Sequence, residues 1–129
     1  MNRWKYFSPE ELRCRCNECG STGNEMDEAF MRTLTAIREH LDFPLIVTSA
    51  HRCPRHNARV SITGKTGPHT TSRAVDIAIQ GNPAIELVVS AKVHGMTGFG
   101  INQKGKNRFI HLDNLTAEDG FHRPWIWSY

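Results

Sequence analysis

The chain has 129 residues, 39% of them hydrophobic and 22% charged, which is the size and balance of one globular domain over residues 1–129 and leaves no room for a second. Sixteen Lys and Arg against thirteen Asp and Glu leave a net charge of +3, interspersed without a block of like sign, which is too weak to argue for a nucleic-acid partner. The most apolar stretch, 44–50, falls far short of the ~18 consecutive apolar residues a membrane-crossing helix needs, and residues 1–10 lack the apolar core and cleavage site of a secretory signal. The expectation is a monomer made in the cytoplasm, with no membrane partner.

Ser8, Pro9, Glu10 and Glu11 supply an N-cap hydroxyl, a proline at the first helical position and an acid at the third, a capping-box pattern that opens a short helix towards Leu12. A Cys-rich loop follows. From Glu25 to Leu41 the residues Met26, Phe30, Leu34, Ile37 and Leu41 recur every three or four positions, which predicts an amphipathic helix that has ended before Pro44. Leu45 to Ser49 is short and β-branched and predicts a strand. Residues 51–69 read as a long polar loop holding Gly64, Gly67 and Pro68, and a loop of that length is expected to carry function. Ala74 to Ile79 alternates, with Val75, Ile77 and Ile79 on one face and Ala74, Asp76 and Ala78 on the other. Asn82 and Pro83 are expected to cap a helix through Ile85, Val88, Val89 and Val93, closed by Gly95. Phe99 and the segment Phe109 to Asp113 predict two strands joined in a hairpin by a turn rich in Gly, Lys and Asn. Helices and strands mixed without strict β-α-β alternation predict an α+β fold, a small and mostly antiparallel sheet with flanking helices.

The unusual chemistry lies in seven His and four Cys. His69 ends the long loop, and Asp76 points away from the apolar side of the strand that follows. Over Phe109 to Asp113, alternation puts Ile110 and Leu112 on one side and His111 and Asp113 on the other. If these two strands share a sheet, His69, Asp76 and His111 converge. Two neutral imidazoles and one carboxylate form a catalytic zinc set whose fourth position is open to water, and zinc lowers the pKa of that water to roughly 7. On spacing alone, hydrogen-bonded structural histidines are the commoner explanation.

The segments Thr48 to Asn57, His69 to Ile77, Gly98-Phe99-Gly100 and Phe109 to Asp113, taken in that order, resemble the zinc D-alanyl-D-alanine carboxypeptidase family. That family includes phage L-alanyl-D-glutamate endopeptidases and shares its fold with the hedgehog signalling domain. The resemblance implies zinc bound by His69, Asp76 and His111, with Arg52 facing the substrate carbonyl, where a fixed cation holds a developing oxyanion. It implies that Asp113 acts as the base for the attacking water or as a partner behind the ligand. Members with a His-x-His pair use the second His on zinc, so an exchange of roles between His111 and Asp113 stays open. The chain also departs from the family pattern: Gly67 replaces the usual Ser, Ser72 the usual Gly, and His51 the aromatic before the loop arginine. No departure removes a ligand. They bear on loop geometry and leave a catalytically inactive zinc-fold binding module as the alternative. His51 and His56 read as loop anchors.

Cys14, Cys16 and Cys19 form a Cys-x-Cys-x-x-Cys cluster, and Cys53 directly follows Arg52. Folded together, the four make either a second, structural zinc site or two disulfides, and both would tie the N-terminal segment to the loop carrying Arg52. In the aromatic tail, Trp125 is a candidate to bind substrate in a groove, and one of Trp125 and Trp127 is expected to be buried. The resulting expectation is a zinc metallopeptidase that hydrolyses peptidoglycan stem peptides, as a carboxypeptidase or an endopeptidase, in the manner of a phage or prophage endolysin released to the cell wall. A nucleic-acid zinc knuckle, suggested by the Cys spacing and a pI near 8.8, leaves His69, Asp76 and His111 unexplained.

Overall fold

Local capping chemistry sets where the helices begin in the computed structural model, which describes residues 3–129. Ser8 caps α1 (Pro9–Leu12), its Oγ accepting the Glu11 N–H at 3.3 Å, and Leu12 is buried. The helix expected from Glu25 begins three residues later, as α2 (Glu28–Leu41), because Asp27 is the N-cap and accepts the Phe30 N–H at 2.9 Å. Glu25 instead closes the preceding turn, accepting from Ser21 Oγ at 2.9 Å, Thr22 N at 3.0 Å and Gly23 N at 2.9 Å. On α2, Phe30, Met31, Leu34 and Ile37 are buried, each worth about 1.5–3 kcal/mol of removed apolar surface.

The stretch expected as a structureless loop over 51–69 contains α3 (Pro54–Val60) and ends in a 3-10 turn, Pro68–Thr71. The cap of α3 is Cys53, whose Sγ accepts the His56 N–H at 3.4 Å, with Pro54 at the first helical position. A thiol is not one of the usual capping side chains, which is why the helix start is hard to see. Helix α4 (Gly81–Val93) starts ahead of the expected Asn82-Pro83 cap, with Gln80 as N-cap. Its inner side carries Ala84, Leu87, Ser90 and Ala91, whereas Ile85, Val89 and Val93 are exposed.

The sheet contains β1 (Ile46–Ser49), β2 (Ala74–Ala78), β3 (Gly98–Asn102), β4 (Phe109–Asp113) and β5 (Trp125–Ser128), ordered β1-β2-β4-β3-β5. All neighbours are antiparallel except β3 and β5, which run parallel. The fold is therefore α+β with a mixed, mostly antiparallel sheet. The hairpin of β3 and β4 forms as expected, while β5, made from the aromatic tail, is an additional edge strand. Cross-strand register aligns Ser49, Asp76, His111, Gly100 and Trp127 in one row, with Ala74, Asp113, Gly98 and Trp125 in a second. The intervening residues Val75, Ile77, Ile110, Leu112 and Phe99 point to the opposite face and join the core formed with α2 and α4. Among the described residues, no helix is long and apolar enough to cross a membrane.

Candidate metal centre

Alternation and register together decide which side chains share the polar face of the sheet. Asp76 on β2 lies directly opposite His111 on β4, and the 3-10 turn before β2 delivers His69 beside them. Asp76 Oδ1 is 3.2 Å from His69 Nε2 and 3.1 Å from His111 Nδ1. The far nitrogen of each ring is anchored. His69 Nδ1 lies 2.8 Å from the Ala50 carbonyl, which can only accept, so the proton is on Nδ1 and Nε2 keeps its lone pair. His111 Nε2 donates to Asp113 Oδ2 at 2.7 Å.

These donors fit a zinc ion. Tetrahedral ligands about 2.0–2.1 Å from the metal lie about 3.4 Å from one another, close to the spacings around Asp76 Oδ1. The three donor atoms all lie within 4.8 Å of one another, on residues that are buried or nearly so. Burial pushes the Asp76 pKa up, but the flanking imidazoles more than offset it and hold the carboxyl well below the ordinary carboxylate range. Burial lowers the His69 pKa and outweighs the pull of Asp76, which favours the neutral ring that a metal requires. Burial also opposes charge on His111, yet its bonds to Asp113 and Asp76 prevail and raise its pKa.

Asp113 is fully buried and does not line the cleft. Arg123 grips it with a fork, Nε to Oδ1 at 2.9 Å and Nη2 to Oδ2 at 2.8 Å, and the Leu115 N–H adds a bond at 3.3 Å. Burial raises the Asp113 pKa, but the Arg123 and His111 contacts win and bring it to about 2. Space for this pair comes from Gly98, where a Cβ would fall on the Asp113 carboxylate. At Gly100 a Cβ would meet the Trp127 ring and His111.

Arg52 borders a cleft of about 700 Å³ together with His69, Asp76 and His111. Its Nη1 donates to Asn57 Oδ1 at 2.8 Å and its Nη2 to Ser49 Oγ at 2.9 Å, while its backbone N–H reaches the His69 carbonyl at 3.2 Å. Asn57 is fully buried, and its amide nitrogen also donates to Thr63 Oγ1 at 2.9 Å and to the Gly64 carbonyl. Neither Asn57 nor Arg123 stands out in the sequence. A buried amide inside a short helix leaves no periodic mark, although a single arginine between Phe121 and Trp125 was a usable signal.

The departures from the family pattern have local reasons. Ser72 adopts a left-handed conformation, φ +63°, that normally favours glycine, and its hydroxyl is 2.8 Å from His51 Nδ1. The two departures at His51 and Ser72 are thus in contact. A side chain at Gly67 would run into Thr63 and Asn57. His56 is half-buried on α3 and does not line the cleft.

Both tail tryptophans face the cleft. Trp125 is 50% exposed and packs at a tilt against His122, ring centres 4.3 Å apart, whereas Trp127 is half-buried with its ring 5.0 Å from His111. Neither is buried, contrary to the expectation for one of them. They sit two residues apart on an edge strand, so both point to the same uncovered face. The thiols of Cys14, Cys16, Cys19 and Cys53 form a second group able to hold a metal, and all four cysteines are unpaired.

No curated protein matches the chain. Residues 5–113 match the model of the peptidase M15 family, a span that contains every donor of both clusters. With a matched region this long over a sheet face of this chemistry, the chain belongs to the peptidase M15 family, zinc-dependent metallopeptidases of the D-Ala-D-Ala carboxypeptidase type that act on peptidoglycan.

Proposed function

We propose that this chain hydrolyses a peptide bond in the stem peptides of peptidoglycan, with zinc held by His69 Nε2, Asp76 Oδ1 and His111 Nδ1. The observation that carries this reading is the anchoring of both far ring nitrogens, at Ala50 and Asp113, which leaves the near nitrogen of each ring, beside Asp76 Oδ1, as the atom available to a metal. Zinc bound there supplies Lewis-acid polarisation of a carbonyl and a water with a pKa near 7.

The chain's own residues do the rest. Arg52, braced by Asn57 and Ser49, presents a fixed cation to the carbonyl oxygen as negative charge gathers on it. Asp113 keeps the His111 proton on Nε2 and holds the ring in place. Both of its oxygens are occupied, which favours His111 as ligand and Asp113 as the positioning residue behind it. Trp125 and Trp127 form an aromatic wall against which a peptide can lie, in a cleft that the exposed Val60 and Ile62 also line.

Digestion of purified cell wall tests the reading. Chelation should stop peptide-bond cleavage and added zinc restore it, and His69→Ala or Asp76→Ala should lower the rate by roughly 10³-fold or more in folded protein. Release of D-alanine marks a carboxypeptidase, and new α-amino groups within the stem mark an endopeptidase of the kind used in phage lysis. Full activity in either variant refutes the assignment, and wall binding without cleavage in the parent chain would make it an inactive module.

A further inference from the structure

We infer that Cys14, Cys16, Cys19 and Cys53 bind a second zinc ion as four thiolates, a structural site that joins the N-terminal segment to the loop carrying Arg52. The four Sγ atoms all lie within 4.8 Å of one another, one compact group rather than two separate pairs. Sulfur ligands about 2.3 Å from a tetrahedral zinc lie about 3.8 Å apart, and Cys16 Sγ is 3.8 Å from Cys53 Sγ.

The backbone is arranged to bring the sulfurs together. The residues that follow Cys16 and Cys19 are in the left-handed region, Asn17 at φ +61° and Gly20 at φ +74°, so the chain turns back after each. Arg13 Nη1 donates to Asn17 Oδ1 at 2.7 Å and fixes the first of these turns. Backbone donors point at sulfur: Cys53 N at Cys14 Sγ (3.3 Å), Glu18 N at Cys16 Sγ (3.4 Å) and His56 N at Cys53 Sγ (3.4 Å). A neutral thiol is a weak acceptor, whereas a thiolate gains from each such bond.

Two further features need an anchor of this kind. Residues 15–20 bury no apolar side chain, so packing does not hold this loop in place. A zinc with four thiolates carries a net charge of about −2, and Arg13 and Arg15 flank Cys14 in the chain. Through Cys53, which is both ligand and N-cap of α3, the ion would also fix the helix whose Asn57 braces Arg52.

This site does not depend on the peptidase reading, and zinc stoichiometry separates the two. The full chain, purified under reducing conditions without chelator, should hold two zinc ions, falling to one in Cys16→Ser/Cys19→Ser and to one in His69→Ala. Cobalt loaded into His69→Ala should give the strong thiolate-to-metal charge-transfer bands of a tetrahedral four-sulfur site. Zinc content unchanged in the double serine variant overturns the proposal, as does trapping of two disulfides by alkylation in freshly lysed cells. If the double variant does not fold, the cobalt spectrum of the parent chain decides, and absence of the charge-transfer bands overturns the proposal. A chain that keeps its zinc in His69→Ala and loses it in the serine variant supports this site and refutes the cleft assignment.

Discussion

The groups around the cleft are held by two kinds of backbone. Asp76, His111 and Asp113 stand on neighbouring antiparallel strands, where the ladder fixes every Cα and a side chain has only its rotamer left to choose. Arg52, His69 and Ser72 stand in connecting segments whose positions depend on side-chain bonds, to Asn57 and Ser49, to the Ala50 carbonyl and to His51 respectively. Strands therefore supply two of the three metal donors and the carboxylate behind them, and the connecting segments supply the third donor, His69, together with Arg52, which meets the substrate. One consequence is that damage should separate: changes at Asp113 alter metal affinity and stability, and changes at Arg52 alter turnover.

Among substitutions outside the three metal donors, the largest expected effect is at Arg52. Arg52→Ala removes the cation offered to the carbonyl oxygen and should cost about 10²–10³ in kcat with zinc content unchanged, measured on a stem-peptide substrate. Loss of zinc in that variant would show that the two sides are not separable.

A smaller effect sharpens the strand side. Asp113→Asn should weaken zinc affinity by about 10–100-fold in a competitive chelator titration, because His111 loses its charged partner and Arg123 is left with an uncompensated charge. The same substitution should change the acid response. Since the folded-state pKa of Asp113 is lowered from 3.8 to about 2, its contribution, about 2 kcal/mol, is complete above pH 3.8 and lost as pH falls through about 2. Urea denaturation between pH 5 and 2 should show a shallower decline in Asp113→Asn than in the parent chain.

The smallest effect examines a loop pair. Ser72→Gly relieves a left-handed serine, worth about 1 kcal/mol, but loses the His51 bond, worth about the same. Its net effect on stability should stay within about 0.5 kcal/mol, whereas His51→Ala in the parent chain should be destabilising by about 1 kcal/mol in the same denaturation experiment.

The strand side was also the more legible one. Alternation over 74–79 and 109–113 places Asp76, His111 and Asp113 on polar faces without any knowledge of the partner strand. The pairing of Asp76 opposite His111 is not written there, since it depends on a register fixed by the hairpin and the core face. On the loop side, α3 was hidden by its thiol cap, and Asn57 by its place in a helix with no apolar stripe. β5 was missed because its pairing with β3 is parallel and joins segments far apart in the chain, and because its residues alternate between two faces that both stay largely open.

The bare Cα atoms of Gly98 and Gly100 have a consequence for how the cleft can diversify. Behind the cleft, Asp113 and Trp127 pack directly against this bare main chain, so even a methyl group there displaces the supports of the centre. Drift in substrate preference is expected instead at Val60 and Ile62, which line the same cleft, stand free of the core and can be exchanged without disturbing the donors.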